Sequence, residues 1–332
     1  EEVRQQLLES GLWNALRTRP FGRVADPKSA PAALFVTAMD THPLAPSLKL
    51  ILEGREADYV SGLTLLTRLT SGKVVQCQAP DLTLPENALK QVESVAFEGP
   101  HPAGLPSTHI HFLKPVSRHT TVWQLGLQDV MSIGRLFTTG RIDPERVISL
   151  AGSMVKNPRM IRTRTGASVD NLLEDALMPG PFRAISGSVF SGHTAHEDLA
   201  FLGRYHQQVA VLPEDTERRL FGWLSPGKNL YSTKKIVLSS LIPGKKIDLT
   251  TNVHGGVRAI VPSGGYEKVM PLDILPIYLL RALASRDIEE AEKLGCLELV
   301  EEDLGLCTFV CPSKIDHMKN LRQNLDLIEK EG

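Results

Sequence analysis

The sequence predicts an α/β fold: a Rossmann-like domain, then a β-grasp module, a β-rich extension and a C-terminal helical domain. Three observations carry this expectation. In the first half, short apolar runs alternate with helical periodicity, the pattern of a parallel sheet flanked by helices. After Gly140 the texture changes to short strands around one small helix, and from Leu272 onward it becomes helical. With 332 residues, 42% of them hydrophobic, the chain can bury enough apolar surface for several domains. The boundaries are placed at 1–140, 141–212, 213–269 and 270–332.

Residues 33–39 (ALFVTAM) form a nearly continuous apolar run, as expected of a strand covered on both faces. A helix is predicted over 56–70, with Val60, Leu63, Leu66 and Leu69 on one side, and the next strand over 73–77. A helix over 86–95, strands over 108–113 and 121–125 and a helix over 129–138 complete the first domain. In the second, strands are expected over 146–151, 159–164, 183–190 and 207–212, with a short helix over 169–176 behind Ser168 as N-cap. The extension carries a β-type run at 235–241. The last helix, 316–330, sets Met318, Leu321, Leu325 and Ile328 on one stripe.

A formal net charge of −1, with only short basic clusters, argues against nucleic acid as a principal partner. The apolar stretch at 275–283 is cut by Pro276 and Arg281, so no direct membrane span is expected. The sequence shows no secretory signal, and Cys77, Cys296, Cys307 and Cys311 are read as reduced thiols rather than a disulfide framework. A start at Glu1, without methionine, leads us to expect a further N-terminal piece.

Ligands of open α/β sheets sit beyond the carboxyl ends of the strands, and the run 33–39 leads directly into Asp40, Thr41, His42 and Pro43. Asp40 and His42 are therefore candidate pocket residues, unless they merely cap a polar loop. Neither a dinucleotide-binding Gly-x-Gly-x-x-Gly nor a P-loop is present. Gly255, Gly256, Gly264 and Gly265 read as turns. His109 and His111 (THIHF) would share a strand face, but without a third ligand nearby they read as ordinary histidines, as do His193 and His196. Arg162 and Arg164 fall on one strand face and read as a solvated surface or a docking point for an acidic partner. Cys307, Cys311 and Pro312 reproduce the second half of a ferredoxin-type cluster motif, whose first two cysteines would fall at Glu301 and Leu304. A carboxylate and an isobutyl group cannot replace two thiolates on iron, so a four-cysteine cluster is not expected.

Five stretches together carry a resemblance: SGLWNALRTRPF (10–21), FVTAMDTHPLAP (35–46), GPHPAGLPSTHIHFL (99–113), GRYHQQVAVL (203–212) and LCTFVCP (306–312). In order and over essentially the whole chain, they resemble the NqrA family, the A subunit of the bacterial sodium-translocating NADH:quinone reductase. More distantly, the layout is similar to the C subunit of the Rnf electron-transport complex and the flavin-bearing subunit of respiratory complex I. Those relatives combine a Rossmann-like flavin and NADH domain, a β-grasp domain of the soluble-ligand-binding (SLBB) type and a helical iron-sulfur domain. Where they carry a glycine-rich flavin loop, this sequence has WNALRTRPF (13–21), whose side chains would fill the space.

The resemblance implies a peripheral subunit on the cytoplasmic side of the bacterial inner membrane, held there by the membrane subunits of the same complex. It implies no redox cofactor on this chain, with flavins and the iron-sulfur cluster on other subunits, ubiquinone as ligand, and no sodium path. The candidate quinone pocket is Arg17, Arg19, Phe21, Asp40 and His42, where donors and an aromatic ring suit a quinone head group. The competing reading has Arg17 and Arg19 plugging the old site or binding a partner. Glu301, Leu304, Cys307 and Cys311 are the degenerate cluster positions. Two other classes stay open: an autonomous flavin-dependent NADH oxidoreductase, and a small-molecule-binding module at 146–212.

Overall fold

The computed structural model describes residues 1–217 and 226–331. Its first sheet takes the expected apolar runs as parallel strands: β2 (Leu34–Ala38), β3 (Val74–Gln78) and β5 (Val122–Gly126), joined by β4 (Val92–Ala96) at one edge. At the other edge, β1 (Arg17–Arg19) pairs antiparallel with β5, giving the order β1-β5-β2-β3-β4. β1 and the helix before it, α1 (Glu2–Glu9), lack a long apolar run and were not expected from the sequence.

A short helix α2 (Leu48–Leu52) precedes α3 (Glu56–Leu66). On one face of the sheet, α3 crosses α5 (Leu127–Thr139) at backbone contact. A Cβ on Gly62 would stand 2.1 Å from the Val130 carbonyl oxygen, and one on Gly134 would stand 1.9 Å from that of Asp58. Glycine at both positions is what lets Tyr59, Leu63, Leu66, Val130 and Ile133 close into one core with Leu34 and Val36.

Two expectations fail in this region. The predicted helix over 86–95 is an irregular stretch followed by β4, which pairs in register with β3 (Val74 opposite Val92); capping an otherwise open sheet edge outweighs helical propensity. The predicted strand over 108–113 is helix α4 (Pro106–Leu113), with Pro106 in the first turn. A short apolar run has the same composition in a buried strand and a buried helix. In the helix, His109 and His111 diverge: His109 Nε2 meets the Ala103 carbonyl at 3.0 Å and His111 Nδ1 meets Glu298 at 2.8 Å.

The second sheet, β7-β6-β10-β8-β9, contains β6 (Glu145–Ala151), β7 (Arg159–Arg164), β8 (Phe182–Ser186), β9 (His193–Thr194) and β10 (Gln208–Pro213). β10 runs parallel to β6 and antiparallel to β8. Helix α6 (Val169–Leu173) begins at Ser168, whose hydroxyl accepts from Asn171 N, and covers a core of Ile148, Leu150, Val209 and Val211.

The β-type run expected at 235–241 is a 3-10 turn at Leu238–Leu241, and among the described residues no strand lies between β10 and the C-terminal helices. Ile236 and Leu241 are exposed there, so neither sheet edge is paired by this run. The C-terminal helices α7 (Pro276–Ser285), α8 (Ile288–Lys293), α9 (Gly305–Val310) and α10 (His317–Glu331) close a separate core. Leu321, Leu325 and Ile328 are buried along α10 as the stripe predicts, with Met318 partly buried.

Candidate functional site

β2 ends at Ala38, and the next four residues turn across the carboxyl end of the sheet. Asp40 Oδ1 accepts from the backbone N–H of His42 at 2.9 Å and stands 2.7 Å from its ring Nδ1. Burial opposes charge on His42, but the Asp40 hydrogen bond and attraction outweigh it and leave the imidazole pKa raised. The ring of His101 lies 4.7 Å from that of His42. Thr41 Oγ1 accepts from Gly104 N–H at 2.9 Å and stands 3.3 Å from His101 Nδ1. His101 Nε2, the other ring nitrogen, is a buried atom without a partner. Burial, then repulsion by His42, lower the His101 pKa to about 4, so this ring is neutral.

His206 repeats the arrangement on the second sheet. Ser186 Oγ, at the end of β8, accepts from Gly203 N–H at 2.9 Å and faces His206 Nδ1 at 2.9 Å. Burial, followed by His193, lowers the His206 pKa to about 4.

The candidate residues of the first segment hold the structure together. The Arg17 guanidinium donates to the Gly22 carbonyl and lies 4.7 Å from the Tyr205 ring centre. Arg19 is fully buried, 3.3 Å from Glu302 and 3.4 Å from Ser107 Oγ. Phe21, at φ 72°, packs its ring on the C-terminal core, while its carbonyl accepts from Arg322. Arg322 is in turn paired with Glu301 at 2.6 Å.

Among the described residues, no hydrogen bond or ring contact joins Arg17, Arg19 or Phe21 to Asp40 or His42. Glu302 acts on both groups, since its charge is felt by Arg19 and by His42. Asp303 beside it is buried; desolvation, then Glu302, raise its pKa while Arg19 lowers it, and its Oδ2 accepts from Val300 N–H.

Of the positions aligned with cluster cysteines, Glu301 is committed to Arg322, and Leu304, Cys307 and Cys311 lie in the C-terminal core. Burial pushes the Cys307 thiol up to about 12, and Tyr266 donates its hydroxyl to Cys311 Sγ at 3.1 Å. Among the described residues, no group of three or more His, Cys, Asp or Glu could hold a metal ion.

Two surface clefts lie elsewhere. One of about 640 Å³ runs past Phe182, Arg183, Thr194, His196 and Glu214; one of about 190 Å³ lies beside Phe35, Val75 and Lys114. Neither is lined by the five candidate residues. Sequence reasoning had not singled out His101, Phe190, Tyr205, His206, Glu302 or Asp303. His101 falls within GPHPAGLPSTHIHFL, and Tyr205 and His206 within GRYHQQVAVL, so the resemblance had marked their neighbourhoods without naming them.

The family model described as the NqrA second alpha/beta domain matches residues 1–142, and that of the NQRA C-terminal domain, of SLBB type, matches 147–197. Proteins named as the A subunit of Na(+)-translocating NADH-quinone reductase are 52% identical in Cellvibrio japonicus, 52% in Vibrio atlanticus and 53% in Klebsiella pneumoniae, each over all of this chain and 74% of the relative. The chain belongs to this NqrA family of Na(+)-translocating NADH-quinone reductase subunits. Crystal structures of an NAD+-reducing NiFe-hydrogenase align at a TM-score of 0.44 and 15 to 16% identity, over 64% of this chain and 46% of that one, a likeness too distant to carry anything over. No helix among the described residues is long and apolar enough to cross a membrane.

Proposed function

We propose that the chain serves as a peripheral subunit of a sodium-translocating NADH:ubiquinone oxidoreductase, on the cytoplasmic side of the membrane, and carries no redox cofactor of its own. It supports assembly with the membrane subunits and access of quinone, while flavins and the iron-sulfur cluster reside on other subunits. The observation that carries this reading is identity above 50% along the entire chain to proteins of that name. In the same reading, residues 1–140 are a Rossmann-like domain without its glycine-rich loop and 141–212 are a β-grasp domain. Residues 213–269 form a connecting extension, and 270–332 a helical domain that has lost its cluster. In support, the indole of Trp13 is buried in the segment where that loop would lie, donating to the Ala25 carbonyl at 2.7 Å and meeting Trp123 edge-on at 5.5 Å.

Within the candidate quinone pocket, the residues divide by role. His42, hydrogen-bonded through Nδ1 to Asp40, and His101, whose Nε2 has no partner within the fold, are the groups suited to donate to quinone carbonyl oxygens. Phe190, whose ring stacks on His101 at 5.5 Å, offers an apolar face. Arg19 is too buried to touch a ligand and sets the position of Glu302; Arg17 and Phe21 fix the turn that carries it. In the assembled complex, we expect His42→Gln and His101→Phe each to raise the KM for ubiquinone about tenfold, as loss of one hydrogen bond to a bound ligand does. NADH oxidation by an artificial acceptor should be unchanged. Unaltered quinone kinetics in both variants would remove the pocket assignment.

A further inference from the structure

Residues 226–249 link the second sheet to the C-terminal helices without forming a strand or any helix beyond the turn Leu238–Leu241. Their large apolar side chains face solvent: Ile236 is 77% exposed, Leu241 71%, and Tyr231, Leu238 and Ile242 are each about half exposed. Scattered exposed apolar residues are ordinary, but five within a dozen positions are a surface held open for something. The same stretch contains five lysines against one aspartate, Asp248. Lys228, Lys234, Lys235 and Lys246 are exposed.

Tyr231 anchors the segment. The Tyr231 ring lies 5.5 Å from Phe309, which lies 5.4 Å from Phe190, the ring stacked on His101. The exposed segment therefore begins where the chain of rings from His42 reaches the surface.

We infer that residues 228–249 are the surface by which this chain docks onto an acidic, partly apolar stretch of another polypeptide of the reductase. The inference rests on the proposed function and names the contact that function requires. Charge complementarity selects an acidic occupant, and the interleaved isoleucine and leucine side chains require apolar surface beside it. An anionic bilayer offers both, but segments that lie in a bilayer interface are amphipathic helices that pair their own backbone. Here the segment is no amphipathic helix: Ile242 N–H to Ser239 O closes a single turn, and Leu238 N–H to Pro226 O and Ser239 N–H to Gly227 O tie two irregular stretches together. A partner polypeptide supplies backbone donors and acceptors as well as carboxylates.

The test is rebinding to the reductase purified in detergent without this polypeptide, with affinity measured for the unchanged full chain and two double variants. One variant combines Ile236→Ser with Leu241→Ser and the other Lys234→Glu with Lys235→Glu, all at exposed positions outside every core. Both should bind at least about tenfold more weakly, and the lysine variant's deficit should shrink at high salt. Rebinding of both variants as tightly as the unchanged chain would overturn the inference and leave the proposed function standing. Failure of the unchanged chain to rebind would remove both. Equal affinity of the unchanged chain for protein-free vesicles of phosphatidylglycerol and phosphatidylcholine, lost in the variants, would assign the surface to lipid and overturn the protein partner.

Discussion

Arg19 is the side chain on which the meeting of the first sheet and the C-terminal helices turns. It is a fully buried guanidinium supported by Glu302 and Ser107, with the Asp303 carboxyl adding attraction. Glu302 is partly exposed, so losing its partner and the buried guanidinium's hydrogen bonds in Arg19→Met should destabilise the protein by about 1 to 3 kcal/mol, read from urea unfolding. A loss under about 1 kcal/mol would mean that Glu302 finds water or another cation. At the other end of the site, the folded-state pKa of His42 lies above its unfolded value of about 6.5. The stability contributed by the Asp40–His42 pair is therefore complete below that value and is lost as pH rises through the folded pKa. The stability difference between the unchanged protein and Asp40→Asn should be larger at pH 5.5 than at pH 9, and a pH-independent difference would mean that His42 is not charged in the fold. Arg17, Arg19, Asp40 and His42 were all marked by the sequence, but their division into positioning groups and free donors was not. That division depends on Glu302, His101 and Tyr205, far away in the chain.

At the scale of elements, the crossing of α3 and α5 is the tightest constraint in the first sheet's core. Gly62→Ala or Gly134→Ala would drive a methyl group into a carbonyl oxygen of the facing helix. Each should lower stability by about 1 to 3 kcal/mol, the usual cost of overpacking, visible as a drop in Tm. An unchanged Tm would mean that the helices separate freely. The strands β2, β3, β5, β6 and β10 were legible because continuous or alternating apolar runs have few other ways to be buried. Residues 86–95 and 108–113 were not, for opposite reasons. In the first, a helix-forming composition is overruled by the open edge of β3; in the second, Thr108, His109 and Ile110 suit strand or helix alike, and Pro106 starting a turn decides. β1 stayed invisible because Arg17, Thr18 and Arg19 have no strand-like hydrophobicity, and its pairing with β5 supplies what the side chains do not.

For the whole molecule, two sheets and a helical bundle each keep their own core, while charged and aromatic side chains join them. Arg204 meets Asp129 at 2.9 Å, Arg322 holds the Phe21 carbonyl, and the rings from His42 through Phe309 cross from the first sheet to the helices. The resemblance to the NqrA family was legible in the sequence because it rests on residue identity along five stretches in order. The commitment of Glu301 to Arg322 was not, since the two are brought together only by the packing of α10. We propose that this chain carries no redox cofactor. An absorbance spectrum with flavin and iron analysis of the full chain, purified without oxygen, tests it most directly. We predict a colourless, iron-free protein, whereas stoichiometric flavin or iron would contradict the account and make the chain itself an electron carrier.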